Sequence, residues 1–118
     1  MQFTVPSFYL DLLNQVFELE KKLDDQLDNR SLARPLERMK QLFVEEFPMT
    51  AGEQGVGLVV HNPLGEKYTE TRTDCDASIA GAGEGKLRII EVIKPIIYLR
   101  GPDLNQIIQR GVVIVAAD

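Results

Sequence analysis

The sequence contains no tryptophan, a single cysteine and a single histidine, and each scarcity removes a class of chemistry. With Cys75 alone there is no intrachain disulfide to staple the fold, so a buried core has to hold it. The expected setting is a reducing cytoplasm, with Cys75 a small, partly buried hydrophobe rather than a nucleophile. One histidine and one cysteine do not make a metal site, and no cofactor is expected. A serine triad would have to use His61, and Ser7, Ser31 and Ser78 lack a nucleophile-elbow context. No catalytic constellation emerges, and an enzyme is not expected. Acidic residues outnumber basic ones, 18 Asp and Glu against 13 Lys and Arg, giving a formal charge of -5 and a pI of about 4.9, which disfavours a nucleic-acid partner. No run reaches the ~20 apolar residues of a membrane span, and no basic region with a long apolar run follows Met1, so neither membrane nor leader is expected.

What is present is patterned. Pro6 and Ser7 read as a helix start, with Ser7 as N-cap. From Phe8 to about Asp28, Leu12, Val16, Leu19, Leu23 and Leu27 recur at helical spacing, and Tyr9, Leu13 and Phe17 widen the stripe. A connection is expected at 29–34, followed by a second helix to about Glu46 on Leu32, Leu36, Met39, Phe43 and Phe47, with Pro35 in its first turn and Pro48 at its end. Two such helices form a hairpin with apolar surface to cover, so a dimeric four-helix bundle is expected over 1–50, with Leu12, Val16, Leu19, Leu23, Leu36, Met39 and Phe43 at the interface.

Beyond a linker-like 50–55 the pattern changes to short β runs over 51–118. Val56 to Val60 reads as a strand, Asn62 to Gly65 as a turn, Tyr68 to Thr73 as a polar, Thr-rich strand or strand edge and Gly81 to Gly85 as a flexible hairpin loop. GAGEG precedes a strand instead of opening a helix, so it is not read as a phosphate loop. Asp74 and Asp76 are read as a solvated loop or hydrogen-bonded turn. Lys86 to Leu99 is the densest apolar stretch, a strand, a bend at Pro95 and a second strand. At period two, Leu87, Ile89, Ile93, Ile97 and Leu99 would share one face and Ile90, Val92, Ile96 and Tyr98 the other, so both faces need cover. Leu104 to Ile108 is a strand or a short helical turn, and Val112 to Val115 the last strand. Helices first and an all-β module after them is the α+β pattern.

A helix pair ahead of a small β module resembles the GrpE family of nucleotide exchange factors for DnaK-type chaperones. LARPLERMKQLFVEEF at 32–47 looks like the family's second short helix. LGEKYTETRTDCDASI at 64–79 resembles its Leu-Gly, aromatic, then His-Glu-Ala segment, with Gly65, Tyr68, Asp74 and Cys75 at matching positions. IIEVIKP at 89–95 is similar to its Val-Val-Glu-Val-Leu-Gln-Lys strand, and RGVVIV at 110–115 to its closing strand. Thr69-Glu70 replaces the usual Asp-Pro, Thr73 the usual His or Met, and Gly111 the usual Pro, while 99–109 is longer than the family's turn. Family members also carry a long coiled-coil helix, and this sequence starts close to the short helices, so contributions of that coil are expected to be absent.

The resemblance implies a GrpE-like head that binds the ATPase domain of a DnaK-type chaperone and promotes ADP release, with Arg110, Val112 and Lys94 as contact residues. The alternative is a dimeric GrpE-like adaptor without exchange activity. A small-molecule binder is disfavoured by the few polar residues able to converge on a ligand. For Arg110 itself, a solvated strand-end gatekeeper or an exposed ion pair worth ~0–1 kcal/mol is the competing reading.

Overall fold

The computed structural model describes residues 5–24, 30–45 and 57–117. Two helices, α1 (Ser7–Asp24) and α2 (Arg30–Glu45), precede seven strands: β1 (Gly57–His61), β2 (Lys67–Tyr68), β3 (Cys75–Ala80), β4 (Leu87–Lys94), β5 (Ile96–Gly101), β6 (Leu104–Gln109) and β7 (Gly111–Ala117). The fold class is α+β. α2 starts at Arg30, inside the stretch assigned above to a connection, and Pro35 lies within the helix rather than in its first turn. The proline forfeits the one bond its N–H would give to the carbonyl four residues back, and the helix continues through that loss. The expected helix end at Pro48, the linker 50–55 and the contributions of Leu27, Phe47 and Val56 fall outside the described residues.

The strands form a three-stranded sheet in the order β1-β5-β6 and a four-stranded sheet in the order β2-β4-β7-β3. β5 is the shared middle of the molecule. Its Ile97 and Leu99 join Leu58, Val5 and Leu13 of α1 in one buried cluster, against which Tyr9, Leu10 and Phe43 pack. Its Ile96 joins Ile89, Val92, Val113, Val115, Cys75 and Phe17 in a second cluster, between the sheets. Ile96, Ile97 and Leu99 are fully buried, each contributing about 1.5–3 kcal/mol relative to exposure. The helix pair therefore covers one face of the three-stranded sheet and the four-stranded sheet covers the other. Helices and strands share a core, so the boundary near residue 50 separates secondary structure but not hydrophobic cores.

Three expectations need correction. Period-two alternation fails along β4, where register shifts between Ile89 and Glu91 and between Val92 and Lys94 mark bulges. Each bulge adds a residue and resets the parity. Ile89 and Val92 both end up buried, whereas Ile90 and Ile93 are 53% and 44% exposed. Second, the strand read over Tyr68 to Thr73 is only Lys67–Tyr68, and the segment read as loop around Asp76 is β3, parallel to β7. Third, Gly81 to Gly85 is not a hairpin loop, because β7 lies between the two strands that it joins.

Candidate docking face

β7 runs through the middle of the four-stranded sheet, antiparallel to β4 and parallel to β3. Its Gly111, Val113 and Val115 are buried toward the core, and Val112, Ile114 and Ala116 alternate with them on the outer, partly exposed face. Val112 is opposite Lys94 on β4 and Asp76 on β3, and Ile114 is opposite Glu91 and Ser78. Two rows thus cross the outer face, each with a β-branched residue at its centre. Arg110, immediately before β7, reaches sideways to β3: one guanidinium nitrogen lies 2.9 Å from Asp76 Oδ1 and another donates to the Cys75 carbonyl at 2.9 Å. The side chains of Arg110 and Asp76 are 49% and 60% exposed, so water screens their pair and little is lost in redirecting the guanidinium to another carboxylate. Lys94 on β4 lies beside Val112 on the adjacent β7, and Arg110, two residues before Val112, lies at the start of that strand. Asp76 is not legible as a site residue in the sequence, because it reaches this face only through the pairing of β3 with β7.

The start of β3 is fixed by a polar cluster. Arg72 makes a bidentate contact with Asp74 at 2.9 and 3.0 Å, lies 3.2 Å from Glu66, and donates to the Lys67 carbonyl at 2.9 Å. Glu66 in turn is 2.6 Å from His61 Nε2. The backbone carbonyl of Asp74 accepts from Gly111 N at 2.8 Å, so the clamp ends beside Arg110. The hydrogen bond from Arg72 holds the Asp74 carboxyl below the usual carboxylate range, against the opposing effect of burial. Cys75 is 2% exposed, and burial together with Asp74 pushes its thiol up to about 11, which disfavours a reactive thiolate.

A pH prediction follows from Asp74. Its folded-state carboxyl titrates below an unfolded value of about 3.9, so the pair's stabilisation is complete above that value and is lost as pH falls through the folded one. Asp74→Asn should lower stability by about 1–2 kcal/mol at neutral pH. In denaturant titrations the gap to wild type should narrow below about pH 4; a gap that stays constant from neutral to acid pH would refute the assignment.

Gly111 stands where close approach excludes a side chain. A Cβ there would lie 2.9 Å from Ile96 Cγ1 and 3.3 Å from Cys75 Sγ, both on fully packed residues. Gly111 thus brings the backbone of β7 close to the chain's own core.

Of the residues expected at a helical dimer interface, Val16 and Leu36 are 1% and 6% exposed and belong to the chain's own interior. Leu12, Leu19 and Met39 are 39%, 50% and 40% exposed. Leu23 and Phe43 are half-buried, Phe43 edge-on to Tyr9 with ring centroids 6.4 Å apart. Helical spacing does not separate the side of a stripe that meets a sheet from the side that faces out, and Leu13 and Phe17 are the sheet-facing residues of α1. An open cleft of about 270 Å³ between α1, α2 and the end of β1 is lined by Phe17, Leu36, Val60 and Lys40. Lys40 is already engaged, 2.9 Å from Glu20 and 3.3 Å from Glu37; burial lowers its pKa, but the two carboxylates outweigh that and raise it. Among the described residues no group of three or more His, Cys, Asp or Glu is placed to hold a metal ion, and no helix is long and apolar enough to cross a membrane.

Fold and surface together define an α+β protein with a mixed-charge, β-branched sheet face open to solvent. Compared with protein-family models, curated proteins and solved structures, the chain gives no match in any of the three.

Proposed function

We propose that this chain is a GrpE-like co-chaperone, a cytoplasmic protein that docks the outer face of its four-stranded sheet on the ATPase domain of a DnaK-type chaperone and promotes ADP release. The observation that carries the reading is that Lys94 on β4, matched to the family by sequence position alone, lies opposite Val112 of β7, with Arg110 just ahead of that strand and exposed beside Asp76. Such a face suits protein docking: apolar β-branched residues at the centre, and charges able to pair with a partner at the sides. The chain makes and breaks no bond in this mechanism. A partner that binds the open form of a nucleotide cleft more tightly lowers nucleotide affinity by the same factor, a coupling of about 1–3 kcal/mol in typical systems. Two copies would associate as a four-helix bundle through Leu12, Leu19 and Met39, which are exposed on α1 and α2.

Pull-down with a DnaK-type ATPase domain, with and without ADP, tests the proposal. Capture that is lost when ADP is added is expected. Capture indifferent to nucleotide would replace exchange with the adaptor reading, and no capture at all would remove the chaperone as partner.

A further inference from the structure

Helix α1 carries two polar residues seven positions apart on the side that meets the sheets; Lys21 reaches β4 directly, and Asn14 reaches the Pro95 bend after β4 through Gln109. Lys21 Nζ donates to the Val92 carbonyl at 2.9 Å. The ammonium is itself held, 3.6 Å from Glu18 and 5.4 Å from the centroid of the Phe17 ring. Asn14 exchanges two side-chain hydrogen bonds of 2.9 Å with Gln109 of β6, and Gln109 also donates to the Pro95 carbonyl at 2.9 Å. The carbonyls of Val92 and Pro95 flank Ile93 and Lys94. Between Val92 and Lys94 the pairing with β7 shifts register, and a bulge of this kind leaves backbone groups without ladder partners. Of the two places where the β4–β7 ladder shifts register, the one at Ile93 and Lys94 is therefore flanked on both sides by carbonyls that accept side-chain hydrogen bonds, one of them directly from the helix.

We infer that Lys21 and the Asn14–Gln109 pair are positioning residues, which fix the Ile93–Lys94 bulge and so set the affinity of the outer sheet face for its protein partner. The inference rests on the proposed docking function for its second half only. Ile93 and Lys94 are exposed, so core packing does not hold their side chains, and the backbone that carries them runs between buried Val92 and Pro95, whose carbonyls accept these bonds. A partner that contacts Lys94 then meets a preorganised surface, which binds more tightly than one that must be ordered on contact. The same bonds link the helical region to the docking face, so a shift of α1 reaches Lys94 through two hydrogen-bonded struts.

The test uses amide hydrogen exchange on the full chain, followed by binding to a DnaK-type ATPase domain. Lys21→Met keeps the apolar stem and removes the ammonium. It should accelerate exchange at Ile93 and Lys94 about tenfold while Val113 and Val115 change little, and weaken binding by a similar factor. Lys21→Arg, which still donates to a carbonyl, should restore both readouts. Gln109→Met serves as an independent variant and should act on the same amides through Pro95. Unchanged exchange at Ile93 and Lys94 in both variants overturns the inference, as does acceleration spread evenly over the sheet. Local acceleration in a protein whose wild type does not bind the ATPase domain upholds the bracing and overturns the docking function instead.

Discussion

Replacing Gly57 with alanine is expected to destabilise the protein more than the same change at Gly65, Gly81, Gly83, Gly85 or Gly111. A Cβ at this position would overlap the backbone oxygen of Val44 and lie 2.6 and 2.7 Å from its carbonyl carbon and Cα. Those atoms belong to the backbone of α2 and cannot swing aside as a side-chain end could. Gly57 is buried and opposite Arg100 in the β1–β5 ladder, so either α2 lifts from the sheet or β1 gives up its register. Overpacking costs typically ~1–3 kcal/mol where side chains can adjust, and a backbone obstacle puts this site at or above the upper end. The melting temperature should fall by roughly 10 °C or more. Gly65→Ala is the matched control. Gly65 has φ of 86° but nothing within 4 Å of the added carbon, so its cost should be only the ~1 kcal/mol of the left-handed conformation. Equal melting temperatures for the two variants would mean that α2 does not press on β1.

Charge reversal at Arg110 should give the largest effect on binding. The guanidinium sits at the edge of the outer face and is shared between Asp76 and the Cys75 carbonyl. In solution that ion pair is half-exposed and contributes little to stability, whereas at a desolvated interface a guanidinium with a partner carboxylate becomes an anchor. Arg110→Glu places a carboxylate beside Asp76 and opposite whatever acid the partner presents. Binding to the ATPase domain should weaken by about 2 kcal/mol or more, with the melting temperature almost unmoved. Unchanged affinity removes Arg110 from the interface. A loss of stability equal to the loss of affinity makes it a structural residue.

The parts of the fold that were legible in the sequence are those set by local chemistry. Leu13, Val16 and Phe17 repeat at helical spacing and form the buried side of α1. Pro95 separates β4 from β5 as expected of a residue with no N–H to give a ladder. Asn62 to Gly65 is a turn, with Leu64 N bonded to Asn62 Oδ1 at 3.2 Å. What was not legible depends on partners distant in sequence. β3, the short CDASIA strand, has little strand signal of its own and exists because β7 lies alongside it and Gly111 N reaches Asp74 O. The bulges in β4 follow from its pairing with β7, and they decide that Ile90 and Ile93 are exposed while Val92 is not. Within the candidate site, Arg110, Val112 and Lys94 came from the family resemblance and could be named from sequence. Asp76, Lys21 and Gln109 could not, because each acts through a residue on another element.

On the proposed function this face opens a chaperone's nucleotide cleft, and the rate of nucleotide release measures that opening directly. A DnaK-type ATPase domain loaded with fluorescent ADP is mixed with excess unlabelled nucleotide and increasing amounts of the chain. Release should accelerate and saturate with wild type, and Arg110→Glu should require much higher concentrations to reach the same rate. A release rate that stays at its intrinsic value at every concentration of folded wild-type protein would contradict the account.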